Sequence, residues 1–186
     1  DSLDVYNSMC EGEIDIVHEI WEGAFGSYFD RVLSKDCVID LVTHKAEVRE
    51  GWWYPLYVKD QCPGLPDYKA LNNCSEIFVT EATSPKGRFV GGPAEWSKRD
   101  QDRITALDMN FKEVQMDSAD KIWAELSKAN KNKDPIVLFN WTPNFIEALY
   151  KGEFVEFPLY DPLCLEDESW GENPNALYDC GNELGG

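Results

Sequence analysis

The segment that most restricts the fold is an apolar run, Pro135 to Phe139, which is followed at once by Asn140-Trp141-Thr142-Pro143. A short apolar run of this kind is typical of a strand that is buried on both faces. Pro143 fits the first turn of a following helix, where an amide hydrogen is not needed. A strand ending at Trp141 would carry the indole to the sheet edge where ligands bind in α/β proteins, although a core role for Trp141 fits the same pattern.

Strand-like and helix-like segments alternate along the chain, which is typical of an α/β fold with a mainly parallel sheet. Asp67 and Ser118 (or Asp117) are suited to cap helices. The periodicity predicts helices at residues 3–10, 24–35, 67–71, 97–107 and 118–130, and strands at 14–17, 37–42, 50–58, 88–90, 111–116 and 154–157.

The charge balance limits the classes of partner. The chain has 186 residues, enough for one core or two small lobes, with 17 basic and 35 acidic side chains, so the formal net charge is 17 − 35 = −18. This charge argues against nucleic acid and anionic membrane surfaces as partners, and it favours cationic ligands, although a soluble acidic surface explains it as well. No stretch of the sequence approaches the length of a transmembrane helix.

The six cysteines suggest disulfides rather than a metal site. They form no C-x-x-C pair, and only two histidines accompany them, so a structural zinc site is not expected. An even, widely spaced set is compatible with disulfides and an oxidising compartment, although free core cysteines fit the same count. Cys62–Cys74 and Cys164–Cys180 are the local pairs to test first.

Three tryptophans each follow a short predicted strand: Trp21 after 14–17, Trp96 after 88–90 and Trp141 after 136–139. In a parallel sheet such turns lie on one edge, so the three indoles can converge. Facing indoles attract a quaternary ammonium group, at about 0.5–2 kcal/mol for each ring face. Any one of these residues alone is more often a packing residue than part of a ligand site, and the coincidence of three favours the site. Trp123 lies on the apolar face of a predicted helix and is expected in the core or an interface.

Four segments in this order resemble the substrate-binding proteins of ABC importers for glycine betaine, proline betaine, choline and trimethylamine N-oxide. The segments cover residues 13–21, 50–55, 86–96 and 135–143. The stretch Gly51-Trp52-Trp53-Tyr54-Pro55 is most similar to the branch that takes betaines and trimethylamine N-oxide. The resemblance extends over most of the chain.

The resemblance implies an α/β fold of the type II periplasmic-binding kind, with two lobes that close on a ligand at the hinge. Residues 1–55 and 141–186 would form parts of an incomplete lobe 1, and residues 56–140 would form lobe 2. Trp21, Trp96 and Trp141 map onto the walls of an aromatic cage, and Trp53 (or Trp52) would be a fourth wall.

The resemblance also implies roles for polar groups. Glu19 would orient Trp21 or face a cation, and backbone amides of residues 92–95 would meet a ligand carboxylate or oxide. Asn144 stands where family members often carry a histidine that binds a carboxylate. Glu95 adds negative charge near this site, which would suit a choline-like cation better than a zwitterion.

The implied function is binding of glycine betaine, choline or trimethylamine N-oxide for uptake through an ABC permease, in the periplasm or outside the cell. No cofactor, metal or enzymatic activity is expected, because motifs such as the P-loop and G-x-S-x-G are absent and no nucleophile lies near His18 or His44. An oligomer or a companion chain is expected to complete lobe 1. The alternative is a secreted non-transport protein that reuses the fold to store, sense or carry another small molecule.

Overall fold

The computed structural model describes residues 4–43, 45–46, 48–96, 98–172 and 176–180. The chain divides into two compact units, Asp1–Ala46 and Glu47–Gly186. The predicted lobe boundaries at residues 55/56 and 140/141 fall at the end of one strand and inside another strand of the second unit. The assignment of these segments to two lobes stays a prediction.

The described residues of the first unit form two helices, α1 (Asp4–Glu11) and α2 (Glu22–Leu33), close to the predicted bounds. A disulfide joins Cys10 to Cys37, with 5.0 Å between their Cα atoms. The strands predicted at residues 14–17 and 37–42 are wrong, because both segments are irregular. A strand needs hydrogen-bonding neighbours, and the described residues supply none to either segment.

The second unit is built on a five-stranded sheet. The order across the sheet is β3-β2-β4-β1-β5. β2 pairs in parallel with β3 and β4, whereas β1 pairs antiparallel with β4 and β5. The sheet is therefore mixed, and the expectation of a mainly parallel sheet holds only for its β3-β2-β4 half. The strands are β1 (Arg49–Pro55), β2 (Gly87–Gly91), β3 (Phe111–Gln115), β4 (Val137–Thr142) and β5 (Gly152–Phe154).

The helices of the second unit begin where the sequence provides caps. The Asp67 carboxylate accepts a hydrogen bond from the Lys69 amide, and the Ser118 hydroxyl accepts one from the Lys121 amide, as predicted. Pro143 was expected in the first turn of the helix after β4, but that helix begins only at Ile146. The helices are α3 (Tyr68–Asn73), α4 (Asp100–Ala106), α5 (Ala119–Asn132), α6 (Ile146–Leu149) and α7 (Leu163–Glu166), with 3-10 turns at Leu56–Asp60, Ser75–Phe78 and Ala94–Trp96.

Two apolar clusters lie on opposite faces of the sheet. Successive side chains of a strand point to opposite faces, and accordingly Trp52 and Phe139 belong to one cluster, whereas Trp53 and Leu138 belong to the other. α5 covers the second cluster with Ile122 and Leu126, among other residues. Among the described residues, no helix is both long enough and apolar enough to cross a membrane.

The predicted Cys62–Cys74 disulfide is confirmed, with 5.8 Å between the Cα atoms. It ties the turn that follows the 3-10 segment Leu56–Asp60 to the residue that caps the end of α3. The other predicted pair, Cys164–Cys180, involves a side chain outside the described residues and stays a prediction. Cys180 itself is disulfide-bonded.

Candidate ligand-binding site

Trp96 and Trp141 meet at one edge of the sheet. Trp141 lies on β4, and Trp96 ends the short 3-10 turn that follows β2. Because β2 and β4 are parallel neighbours, their carboxyl ends lie side by side. The two indole centroids are 5.6 Å apart and the ring planes are nearly perpendicular, at 86°. The expected convergence of these two rings is present, and their role in binding a ligand stays a prediction.

Three further rings complete an aromatic cluster around this pair. The centroid of Trp123, on α5, lies 5.2 Å from that of Trp141, and the centroid of Phe139 lies 5.6 Å from Trp96 and 6.1 Å from Trp141. The Phe145 ring packs edge-on against Trp123. Sequence periodicity predicts Trp123 on a buried face but does not reveal its contacts with Trp141 and Phe145. The aromatic cluster consists of Trp96, Trp123, Phe139, Trp141 and Phe145.

Members of the aromatic cluster differ in their exposure. Phe139 is buried, Trp96, Trp123 and Trp141 are half-buried, and Phe145 is 60% exposed. A glycine permits the position of Trp96, because a Cβ atom on Gly92 would lie 2.5 Å from the indole. The indole therefore packs directly on the backbone, and its ring is held in place while part of its surface still meets solvent.

One cation lies beside the aromatic cluster. Lys98 Nζ is 5.4 Å from the centroid of the Phe139 ring and 2.7 Å from both carboxylate oxygens of Glu50. Glu50 lies directly opposite Trp141 in the β1–β4 pairing. Sequence reasoning missed this ion pair, because its members are 48 residues apart.

The amide of Asn144 is engaged in the turn after Trp141. Its Nδ2 donates to Asn140 Oδ1 (2.8 Å) and to the Trp141 carbonyl, and its Oδ1 accepts from the Ile146 amide (2.8 Å). These bonds join the end of β4 to the start of α6. A ligand-binding role for Asn144 stays a prediction, and its observed contacts are those of a residue that fixes a turn.

Trp52 and Trp53 are core residues, 0% and 1% exposed. Trp52 stacks on Phe89 with centroids 3.8 Å apart, and its Nε1 donates to Asp100 Oδ1 at 2.7 Å. Trp53 packs so closely on β5 that a Cβ atom on Gly152 would overlap its ring. The expectation that Trp53 (or Trp52) walls the ligand site is untested, and neither indole presents a surface to solvent.

Trp21 and Glu19 belong to the first unit. The indole Nε1 of Trp21 donates to Glu19 Oε1 at 2.7 Å. This bond fits the expectation that Glu19 orients Trp21. Participation of both residues in a ligand site stays a prediction from the sequence.

A buried ion network underlies the start of α4. Arg103, 2% exposed, donates to Asp100 and Asp179, which are themselves buried. Burial raises the pKa of Asp100 to about 6 against the opposing charge of Arg103. Burial also raises the pKa of Glu113 on β3 to about 7, and the nearby charge of Asp100 adds to that shift. This network fixes the helix that directly follows the Trp96 turn.

A cavity of about 440 Å³ lies elsewhere in the second unit. The stacked rings of Tyr68 and Phe157 form part of its wall. Asp67, Lys69 and Glu156 also line this cavity. No member of the aromatic cluster lines this cavity.

Comparison with known proteins assigns the chain to a family. Residues 1–182 match the family described as the substrate binding domain of ABC-type glycine betaine transport systems. A trimethylamine N-oxide-binding protein of Pelagibacter ubique (strain HTCC1062) is 37% identical over 175 residues, which is 90% of this chain and 55% of that protein. The chain thus spans little more than half the length of this relative.

Solved structures share the fold at low identity. A lactococcal protein in its closed conformation, complexed with glycine betaine, superposes with a TM-score of 0.58 at 15% identity, over 84% of this chain and 57% of the other. A glycine betaine, L-proline ABC transporter binding protein from Borrelia burgdorferi gives 0.56 at 19% identity, over 82% and 54%. The predicted α/β fold of the type II periplasmic-binding kind is confirmed. By its matched residues and its fold, the chain belongs to the family of substrate-binding domains of ABC-type glycine betaine transport systems.

Proposed function

We propose that the chain binds a small trimethylammonium-type solute for ABC-type uptake and that Trp96 and Trp141 contact its methyl groups. The observation that carries this proposal is the perpendicular, half-buried indole pair at the ends of β2 and β4. Trimethylamine N-oxide is the first ligand to test, because the relative at 37% identity is named for binding it. Glycine betaine and choline are the other two candidates.

The perpendicular arrangement of Trp96 and Trp141 favours a ligand that contacts a face of each ring from one side over a ligand held between the two rings. A cation–π contact needs about 6 Å or less between the cation and each ring centroid. Since the two centroids are only 5.6 Å apart, a trimethylammonium group does not fit between the rings, but it can touch one face of each from outside. Two faces contribute about 1–4 kcal/mol together. Micromolar affinity requires about 8 kcal/mol, so polar contacts to the ligand must add to them.

Isothermal titration calorimetry with trimethylamine N-oxide, glycine betaine and choline tests the proposal. We expect Trp141→Ala to weaken binding of the best ligand by at least about tenfold, because it removes one ring face and the packing of Trp96. Tyr57→Ala is a matched control, since Tyr57 is a half-buried ring whose hydroxyl donates to the Asp134 carbonyl, outside the aromatic cluster. Absence of heat with all three ligands, or equal losses in both variants, would contradict the proposal.

A periplasmic or extracellular location and a permease partner belong to the same proposal. Substrate-binding domains of ABC transport systems act with a permease, and the described disulfides fit an oxidising compartment. The family match does not favour the alternative of a secreted non-transport protein. Osmotic-shock fractionation of producing cells should release the protein with periplasmic markers, and recovery with cytoplasmic markers would contradict this location.

We also propose that further polypeptide, either a companion segment or another copy, covers the first unit. Ile16, Ile39, Leu41 and Val42 are 70–82% exposed, a density of bare apolar side chains that usually marks a contact surface. The match covers only 55% of the relative at 37% identity, so that relative has further residues that could supply such a contact. Light scattering of the isolated chain should show self-association. A stable monomer with cooperative unfolding would count against this part of the proposal.

A further inference from the structure

Lys98 places a charged group directly beside the aromatic cluster. Its ammonium lies over the buried ring of Phe139, which also packs against the rings of Trp96 and Trp141. The side chain is only 17% exposed, so the charge is largely withdrawn from solvent. It follows Trp96 by two residues in the chain, and its position is therefore tied to that of the indole.

Glu50 holds this ammonium in a defined orientation. Both carboxylate oxygens accept from Lys98 Nζ at 2.7 Å. A lysine ammonium has three N–H donors, so one remains for another acceptor. Glu50 is only 35% exposed at its side chain and lies across from Trp141 in the sheet, which fixes the pair against the strand that carries the second indole.

The Lys98–Glu50 ion pair offers different partners to cationic and to dipolar ligands. The carboxylate of Glu50 is already paired with Lys98, so a ligand that carries only a positive charge finds no unpaired anion in this ion pair and offers no acceptor to the remaining N–H of Lys98. A ligand with an oxide or carboxylate next to its trimethylammonium group can place the cation on the indoles and the anionic oxygen toward Lys98 Nζ. Charge-assisted hydrogen bonds of this type are stronger than neutral ones.

We propose that Lys98 determines specificity, by donating a hydrogen bond to the anionic oxygen of dipolar ligands such as trimethylamine N-oxide and glycine betaine and by disfavouring choline. This inference rests on the proposed function. It differs from the expectation that Glu95 would favour a choline-like cation, because Glu95 is exposed, whereas Lys98 is largely buried beside the rings.

The test compares dipolar and cationic ligands on Lys98→Met by calorimetry. We expect trimethylamine N-oxide and glycine betaine to lose affinity by about 10-fold or more, while choline affinity stays the same or rises. Lys98→Arg, which keeps the charge, should retain the preference for dipolar ligands. Arg88→Met is the matched control, because Arg88 on β2 forms a comparably buried ion pair with Glu125, and its loss should change neither affinity.

A second variant separates loss of Lys98 from exposure of Glu50. Lys98→Met combined with Glu50→Gln removes both charges and keeps the net charge of the unsubstituted protein. The proposal predicts that dipolar ligands still bind weakly to this double variant. Recovery of their affinity, or equal losses for choline and the dipolar ligands in Lys98→Met, would overturn the role of Lys98 alone. Failure of the unsubstituted protein to bind any of the three ligands would overturn both this inference and the proposed function.

Discussion

Two tryptophans on paired strands lie in contrasting environments. Trp52 on β1 is fully buried, stacks on Phe89 and donates its indole N–H to Asp100. Trp141 on β4 is half-buried and packs against other indoles at angles that leave ring surface uncovered. Burial together with a satisfied N–H makes Trp52 a packing residue. Partial exposure among rings that are themselves held in place makes Trp141 suited to contact a ligand.

The largest effect that this comparison predicts is on stability. Trp52→Ala should lower the free energy of unfolding by about 3–5 kcal/mol, because it opens a cavity and removes the donor to the buried Asp100 carboxylate. Trp141→Ala should cost at most about 2 kcal/mol, since less of that side chain is withdrawn from water. Chemical denaturation followed by circular dichroism measures both values.

Equal destabilisation by Trp52→Ala and Trp141→Ala would contradict the contrast between the two residues. Trp52→Phe is the conservative control, because it retains much of the ring volume and removes the indole donor. An intermediate loss is expected for it. A loss in Trp141→Ala as large as that in Trp52→Ala would mean that Trp141 is a core residue, the simpler interpretation that the sequence also allowed.

A smaller effect concerns the ring that supports Trp141. Trp123→Ala should weaken ligand binding by about 2–10-fold, the range of a single aromatic pair, because the Trp123 centroid lies only 5.2 Å from that of Trp141. Calorimetry on this variant and on Trp123→Phe gives the comparison. Full affinity in Trp123→Ala would show that Trp141 is positioned without Trp123.

The smallest effect is a pH dependence near the Trp96 turn. Burial raises the pKa of Glu113 from 4.5 to about 7, with a contribution from Asp100. The folded protein therefore keeps a proton that the unfolded chain loses, and the contribution of Glu113 to stability falls as the pH rises through this window. Glu113→Gln should match the parent near pH 4.5 and melt up to about 3 °C higher above pH 7.

Thermal denaturation at both pH values checks this prediction. Lys112→Gln, an exposed change on the same strand, is the control and should show no such trend. A Glu113→Gln variant that becomes relatively less stable as the pH rises would show that the carboxylate is stabilised in the fold, which is the opposite of the expected direction.

Local features of the sequence predicted much of the fold. Caps at Asp67 and Ser118 and the helical spacing of residues 24–35 depend on near neighbours, and the structure confirms them. The strand predictions for residues 14–17 and 37–42 were wrong because strand formation depends on a partner strand that a local pattern does not reveal. The antiparallel β1–β4 pairing was also beyond a local pattern, because the choice and direction of a partner strand depend on the whole sheet.

The candidate site likewise has features that the sequence predicts and features that it does not. Trp96 and Trp141 meet because they lie at the carboxyl ends of neighbouring parallel strands, which a strand–helix pattern allows one to anticipate. The burial of Trp53 and the ion pair between Lys98 and Glu50 depend on contacts between residues far apart in the chain. No motif marks these contacts, because each ion-pair member looks like an ordinary surface charge in the sequence.

The most direct test of the central claim is a set of nuclear Overhauser effects between the methyl protons of bound trimethylamine N-oxide and the indole protons of the protein. We predict cross-peaks to Trp96 and Trp141 and none to Trp52, Trp53 or Trp170, which are buried in the described structure. Bound ligand that gives no cross-peak to Trp96 or Trp141 would contradict the account.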